Sequence, residues 1–387
     1  MGQNTRESQK YSISSYQSFV LLFSTIFGAG VLDLPRNITD DVGNDTIWVL
    51  FIAGLLVWCI LMLITVLIQR FPQESIAEYL IKILGSKRFV WIGRILSVLL
   101  LIPIAGAWLA GSAMITRTFG ETVHIMILTE TPLLAIMVPF VLLVCLAGCS
   151  QISVLAKFSE LLFPLSLIPI GMIIFSTLIH GRLLNVLPLM GVSWEQLISG
   201  VLTSAYAFTG YTVVLVFSGF YQQPKKALKV HSLAFGFTFL LYWGLCVNTL
   251  AVFGPEEVTK MMWPVLEAAK ILQIPVLIER MESIILLLWV STAFTSAANL
   301  YVAFVEMVCG SLKWTERWRK GVAILFSFVI LGIALYPDRI QEIWAFQKWY
   351  GAIALGIAIC IPLLLLMIAL IRKQKGEIKY AKKTSSH

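Results

Sequence analysis

The sequence predicts an all-α polytopic membrane protein, with ten transmembrane helices in a five-plus-five inverted repeat and helices 1 and 6 broken. Three observations predict it. Of the 387 residues, 58% are hydrophobic and 13% charged, with a mean hydropathy of +0.87. A water-soluble domain of that makeup would expose large apolar patches, whereas a bilayer requires repeated apolar runs of about 20 residues. Such runs recur along nearly the whole chain, and two of them, five spans apart, carry a small, polar, glycine-containing patch at their middle.

In chain order the runs are Tyr16 to Pro35, Thr46 to Gln69, Ile95 to Ile115, Leu133 to Cys149, Phe158 to Ile179, Leu197 to Phe220, Leu233 to Phe253, Ile284 to Cys309, Val322 to Tyr336 and Tyr350 to Ile371. Lysine and arginine collect on the cytoplasmic side of a membrane. Arg6 and Lys10, the group from Arg70 to Arg94, Lys157, Lys225 to Lys229, and Lys313 to Lys320 all fall on one side, with the tail that runs from Arg372 to Lys383. The other side carries Asp40, Asp41, Asp45, Glu121, Glu130, Glu256 and Glu257, with fewer and scattered basic residues such as Arg117, Arg182 and Arg339. Both termini are therefore expected in the cytoplasm. A cytoplasmic segment at 1–15 precedes a single membrane domain at 16–371, with repeat one near 16–179, repeat two near 197–371 and a basic tail at 372–387.

The net charge of +8 sits mostly in short turns and the tail, which favours an anionic lipid leaflet as partner and not nucleic acid. Cys59, Cys145, Cys149, Cys246, Cys309 and Cys360 all lie in or at the ends of apolar runs and read as reduced hydrophobes. His124, His180, His231 and His387 are scattered, so neither a metal cluster nor a cofactor is expected, and no nucleophile or base constellation marks an enzyme. Residues Met1 to Ser15 are polar and no small-residue cleavage site follows the first run, so no removable signal is expected.

Two connections read as helical. Phe71 to Gly85 has Pro72, a Ser75 and Glu78 capping pair, an apolar face of Ile76, Tyr79, Leu80 and Ile83, and Gly85 as a stop. Pro255 to Pro275 places apolar residues at helical spacing and suits a helix over the external mouth.

Ser24 to Arg36 interrupts the first span with Gly28 and Gly30. Irregular backbone inside a membrane is tolerated only where protein or a water-filled cavity satisfies the freed groups, which is how transporter sites are built. Amides opening the second half of such a helix can hold a carboxylate, and carbonyls closing the first half can hold a cation. Thr203 to Thr212, with Gly210, repeats the pattern in the sixth span. An odd offset reverses direction through the membrane, so the two halves relate as an inverted repeat with a midplane site between the breaks. Close helix packing by small residues is the competing explanation.

Other spans offer lining. Gly106, Ala107, Ala110 and Gly111 are small residues on the third. Ser291, Thr292, Thr295, Ser296 and Asn299 form a hydroxyl-rich stripe on the eighth, with the first four a candidate cation site unless they bond back to their own helix. Asp33 has two readings, a vestibule residue paired with Arg36 or solvent, and a holder of a substrate ammonium group. Lys157 and Glu160 open the fifth span, either at the interface or, for the lysine, reaching inward in place of a cation.

Phe27 to Arg36, Gln69-Arg70-Phe71-Pro72, Trp263-Pro264 and Ile278 to Ser283 ahead of Leu286 to Trp289 together resemble the spore germination permease-like family, the B subunits of nutrient germinant receptors. That family is similar in turn to the amino acid, polyamine and organocation transporters. The resemblance implies a LeuT-like fold, and a complex with an A subunit and a lipoprotein C subunit in the spore inner membrane. It implies a ligand site in which the backbone amides of Gly28, Ala29 and Gly30 meet a germinant carboxylate and Phe208, Thr209, Gly210 and Tyr211 close the other side, with an amino acid as the expected germinant; Thr25 on the first span and Gly106 on the third are expected to line the same site. Asp33 stands where the family pattern has a neutral residue such as threonine, so a sugar, or an amino acid held by its ammonium group, stays open. The expected function is ligand sensing read out by partner subunits; the alternative is a proton- or sodium-coupled amino acid transporter.

Overall fold

A computed structural model describes residues 13–28, 30–85, 90–187, 191–271, 281–312, 314, 316–337 and 340–376. Ala29, Glu279, Arg280 and the basic positions Arg6, Lys10, Lys87, Arg88, Lys313, Arg339, Lys379, Lys382 and Lys383 lie outside them. The described residues form helices joined by short links, and the single β-type contact among them is an isolated bridge between Ile13 and Tyr221.

The first apolar run breaks after α1 (Ser15–Ile26), and the helix that follows, α2 (Leu34–Val42), lies mostly beyond the expected end of the run at Pro35. Then come α3 (Thr46–Arg70), α4 (Ile76–Leu84), α5 (Val90–Met126), α6 (Leu133–Cys149) and α7 (Ile152–His180). The sixth run divides likewise into α8 (Trp194–Ala207) and a short helical stretch around α9 (Val214–Phe217), the two bent by 53°. After it come α10 (Ala227–Phe253), α11 (Pro255–Lys260), α12 (Pro264–Ile271), α13 (Met281–Leu312), α14 (Glu316–Leu335) and α15 (Ile340–Ile371).

Seven helical stretches among the described residues are long and apolar enough to cross a membrane, and the bent pair makes eight. The first of the seven, Leu34–Arg70, joins α2 to α3, so the expected ten require the 17-residue α6 to cross and α2 to complete a span with α1 instead.

Both broken units start alike. Ser14 accepts from the Gln17 amide while Gln17 caps the Ser14 amide, and Ser193 and Gln196 repeat the arrangement ahead of α8. These reciprocal caps satisfy amides that a helix start leaves orphaned. The helices they open run 12 and 14 residues before breaking. α2 packs against α8 on one side of the breaks, and α1 packs against the turn that follows Gly210 on the other.

Elsewhere the structure adjusts the expected boundaries. The predicted helix across Pro255 to Pro275 is two helices, because Pro264 disfavours a helical conformation at Trp263 and lacks an amide proton; Leu272 to Pro275 lie outside the described residues. α5 runs about three turns past Ile115, where Arg117 and Glu121 pair at 2.6 Å inside the helix. α15 starts ten residues ahead of Tyr350 and so brings Trp344, Gln347 and Lys348 into the bundle.

The face that holds the start of α1 is tied together by polar contacts. Ile13 and the Phe220 to Gln222 backbone exchange hydrogen bonds. Buried His231 lies 2.8 Å from Thr65 and 3.0 Å from Tyr221. The end of α15 folds onto α4, with Arg372 donating to the Ile83 and Gly85 carbonyls and Gln374 to that of Lys82. The Ser75 and Glu78 capping box forms as expected, and burial raises the pKa of the Tyr79 phenol behind it.

Candidate functional site

The two breaks meet at the centre of the bundle. α1 stops at Ile26, Gly28 donates to the Ile26 carbonyl at 3.0 Å, and the Leu34 amide returns to the Gly30 carbonyl at 3.0 Å, so a single turn from Gly30 leads into α2. The second break is turned by Gly210 at φ +108°, a left-handed conformation that glycine adopts without steric cost. A Cβ built on Gly30 would stand 2.8 Å from Ala207 Cα, and one on Gly210 would stand 3.0 Å from the Thr25 carbonyl oxygen. Glycine at both positions is what lets the two backbones touch.

The carbonyls freed at the breaks are satisfied by side chains from two neighbouring helices. Tyr242 of α10 places its hydroxyl 2.8 Å from the Ile26 oxygen and 3.3 Å from the Ala207 oxygen. From α13, Ser296 donates to the Thr25 carbonyl at 2.6 Å, Trp289 to the Gly28 carbonyl at 3.2 Å, and Asn299 to both the Ser24 and Thr25 hydroxyls at 2.9 Å. Each of these carbonyls would cost about 1–3 kcal/mol if left buried without a partner. The polar stripe of α13 thus holds the unwound backbone open.

Thr25, Gly30, Gly111, Tyr206, Ala207, Thr209, Ser296 and Tyr350 line a central pocket with room of about 10 Å³, which is about one water molecule. Tyr350 and Thr209 also line a larger apolar pocket with Trp108, Gly210 and Tyr211 on its wall. Trp108 donates to the Thr212 hydroxyl at 2.9 Å and Tyr350 to the Ala107 carbonyl at 2.9 Å, so α5 and α15 are both fastened around the second break.

Beyond Tyr206 lies an outer vestibule of about 180 Å³, lined by Arg36, Asn37, Asp40, Asp41, Thr203, Trp344, Gln347 and Lys348. Lys348 reaches Asp41 at 3.0 Å, and the Arg36 guanidinium stacks 3.5 Å over the Trp344 ring. These two contacts join α2 to α15 across the mouth. Asp33 precedes α2 without capping it and is buried, with Gln347 facing both it and Tyr206.

The remaining expected residues fall as follows. Gly28 abuts Ser296, and Phe208 is fully buried against Phe235 and Tyr242. Tyr211 is buried on the apolar pocket's wall. Ala29 lies outside the described residues. Gly106 faces outward from α5, one turn from the inward-facing Gly111. Ser291, Thr292 and Thr295 donate back to carbonyls of their own helix, and with Ser24, Ser159 and Ser166 they line a second small cavity of about 10 Å³. Lys157 is exposed, and Glu160 accepts from Gln17 at 3.0 Å. Tyr206, Tyr242, Trp289, Gln347 and Tyr350 belong to the site without having been expected there. The repeated serine-x-x-glutamine ahead of each broken helix is a signal that would have aligned the two halves and pointed to Tyr206 and Ala207 as the residues flanking the second break.

The family described as "Spore germination protein" matches residues 12–343. The chain is 27% identical to spore germination protein YndE of Bacillus subtilis over 94% of its length and 98% of that protein's. It is 25% identical to spore germination protein A2 of the same organism (93% and 96%) and 24% identical to GerQB of Bacillus cereus (92% and 96%). Its fold is similar to that of MhsT crystallised with L-phenylalanine, with a TM-score of 0.64 at 14% identity, covering 95% of this chain and 93% of that one. A manganese-transporter variant from Eremococcus coleocola superposes with a TM-score of 0.57 at 14% identity over 98% and 83% of the two chains.

Proposed function

This chain belongs to the spore germination protein family, and from that premise we propose that it is the B subunit of a nutrient germinant receptor, which binds an amino acid at the paired helix breaks and triggers germination through partner subunits. Its partners are an A subunit and a lipoprotein C subunit. It resides in the spore inner membrane with both termini on the core side. The observation that carries the reading is the meeting of the two breaks: Gly30 against Ala207 and Gly210 against Thr25, around a pocket that Thr209 and Ser296 also line.

The size of that pocket suggests how binding becomes a signal. A space of about one water cannot take an amino acid without parting the breaks. The ligand therefore binds one arrangement of α2, α8 and α15 better than the other, and that difference in affinity shifts the balance between them. Partner subunits then read the position of the moving half. The backbone amides at Gly30, in the break ahead of α2, receive the ligand carboxylate, and Thr209 and Gly210 close over it.

Germination of spores whose sole receptor contains this subunit, scored against amino acids and sugars, tests the reading. Gly30→Leu is expected to abolish or shift the nutrient response while the protein still accumulates; an unchanged response would show that the ligand is sensed elsewhere.

A second reading, a cation-coupled amino acid transporter, starts from the likeness of the fold to MhsT and from the hydroxyl residues Ser24, Ser159, Ser291, Thr292 and Thr295, which stand with Phe23, Phe27 and Phe163 around a small, mainly apolar cavity between α1, α7 and α13. A hydroxyl that donates its proton to a helix carbonyl keeps lone pairs for a cation. Sodium- or proton-dependent accumulation of a labelled amino acid by the reconstituted chain alone would support it.

A further inference from the structure

Three buried polar side chains beside the first break end in atoms without a partner. Asp33 is 2% exposed and its Oδ1 accepts no hydrogen bond. Gln347 Oε1, on a residue 3% exposed, and the Tyr206 hydroxyl, on a residue 6% exposed, are also unpartnered. The three belong to the α2 start, α15 and α8, yet they converge, because Gln347 faces both of the others.

Their chemistry has one sign. A carboxylate oxygen and an amide oxygen only accept, and a phenol oxygen can accept as well. The position just before α2 would let Asp33 cap that helix, but its side chain makes no cap bond. It forms no salt bridge with a described residue. Arg36, the nearest basic residue in sequence, acts on Asp33 through its charge but makes no contact ion pair with it, being stacked on Trp344 and donating to Asn37 Oδ1 at 3.3 Å. Gln347 and Asn37 donate to the Asp33 carboxylate, yet one of its oxygens, the Gln347 amide oxygen and the Tyr206 phenol oxygen stay buried without a partner, which is costly, and such groups persist where a ligand supplies what is missing. A group with several N–H donors and a positive charge fits, and an ammonium has three.

We infer that Asp33, Gln347 and Tyr206 form the binding site for the ammonium group of the germinant, and that the ligand is accordingly a primary amine or amino acid and not a sugar or a simple carboxylic acid. This rests on the proposed receptor reading and specifies its ligand class. Gln347 and Tyr206 line the outer vestibule and Tyr206 also lines the central pocket, so an ammonium held there leaves the rest of a small ligand pointing at Gly30, Gly111 and Thr209. Asp33 then selects for charge, and Tyr206 marks the step from vestibule to centre.

Equilibrium binding to the purified full chain in lipid nanodiscs tests this. The probes are labelled glycine, L-alanine, L-valine and L-asparagine, competed by the matching decarboxylated amines, the matching deaminated acids and D-glucose. For the amino acid that binds, the amine is expected to compete and the deaminated acid to compete at least about tenfold less well, and Asp33→Asn is expected to weaken binding by about tenfold or more. Tyr206→Phe and Gln347→Leu are expected to weaken it by smaller factors in protein that elutes as wild type does, and they decide the matter should Asp33→Asn fail to fold. Wild-type affinity in a well-folded Asp33→Asn, or a deaminated acid that binds as tightly as its amino acid, overturns the inference and leaves the receptor reading standing. A wild-type chain that binds glucose and none of the amines or amino acids overturns the ligand class in both.

Discussion

Gly30 and Ala207 touch through their backbones: a single methyl group on Gly30 would fall 2.8 Å from Ala207 Cα and 2.9 Å from its Cβ. Neither of those atoms is the far end of a flexible chain, so the neighbour can give way only by moving α8. Gly30→Ala is therefore expected to push the two breaks apart and to weaken amino acid binding by about tenfold or more, with an overpacking cost of about 1–3 kcal/mol in thermal stability. Binding and melting of the same purified protein measure both.

Gly210→Ala combines a positive φ with a 3.0 Å approach to the Thr25 carbonyl. Strain of about 1–3 kcal/mol is expected. Gly106→Ala, which meets nothing within 4 Å, is expected to be silent in the same melt. Equal effects of the two would show that the second break does not require its left-handed turn.

Ser296→Ala removes the donor to the Thr25 carbonyl and leaves a buried oxygen without a partner. The expected loss is about 1–3 kcal/mol of stability. Asn299→Leu, which strips donors from both the Ser24 and Thr25 hydroxyls, is expected to cost more. Thermal unfolding in detergent measures each.

Much of this was legible in the sequence, and the limit has a physical cause. Gly28, Gly30 and Gly210 announce the breaks because an interrupted apolar run stands out against a bilayer's demand for continuous helix. Ser296 and Asn299 are visible as part of a stripe, although a stripe does not tell which carbonyls it serves. Trp344, Gln347 and Lys348 were lost because hydropathy locates only the apolar part of a helix, and α15 begins ten residues before its apolar run does. Tyr242 is one aromatic among many in its span, and only the fold puts its hydroxyl between two helix ends.

Lys348→Ala opens the contact with Asp41 across the mouth. Lys348 is 51% exposed, so the stability change is expected to be within about 1 kcal/mol. The effect belongs in kinetics: ligand association and release are expected to quicken, and the difference from wild type to shrink in high salt. Stopped-flow binding at two ionic strengths checks it.

Tyr242→Phe keeps the ring and deletes the hydroxyl that reaches Ile26 and Ala207. A loss of about 1–3 kcal/mol is expected, with weakened coupling between the halves in double mutants with Gly30→Ala.

That hydroxyl has one hydrogen and two carbonyls within reach. The end of α1 has a second donor in the Gly28 amide, so the hydroxyl can turn its hydrogen toward the end of α8 without leaving the Ile26 carbonyl unpartnered. A rotation about one C–O bond is all that separates the two outcomes. One phenol at the centre of the protein therefore ties the last turns of two helices from opposite halves of the chain, and it does so without a charge.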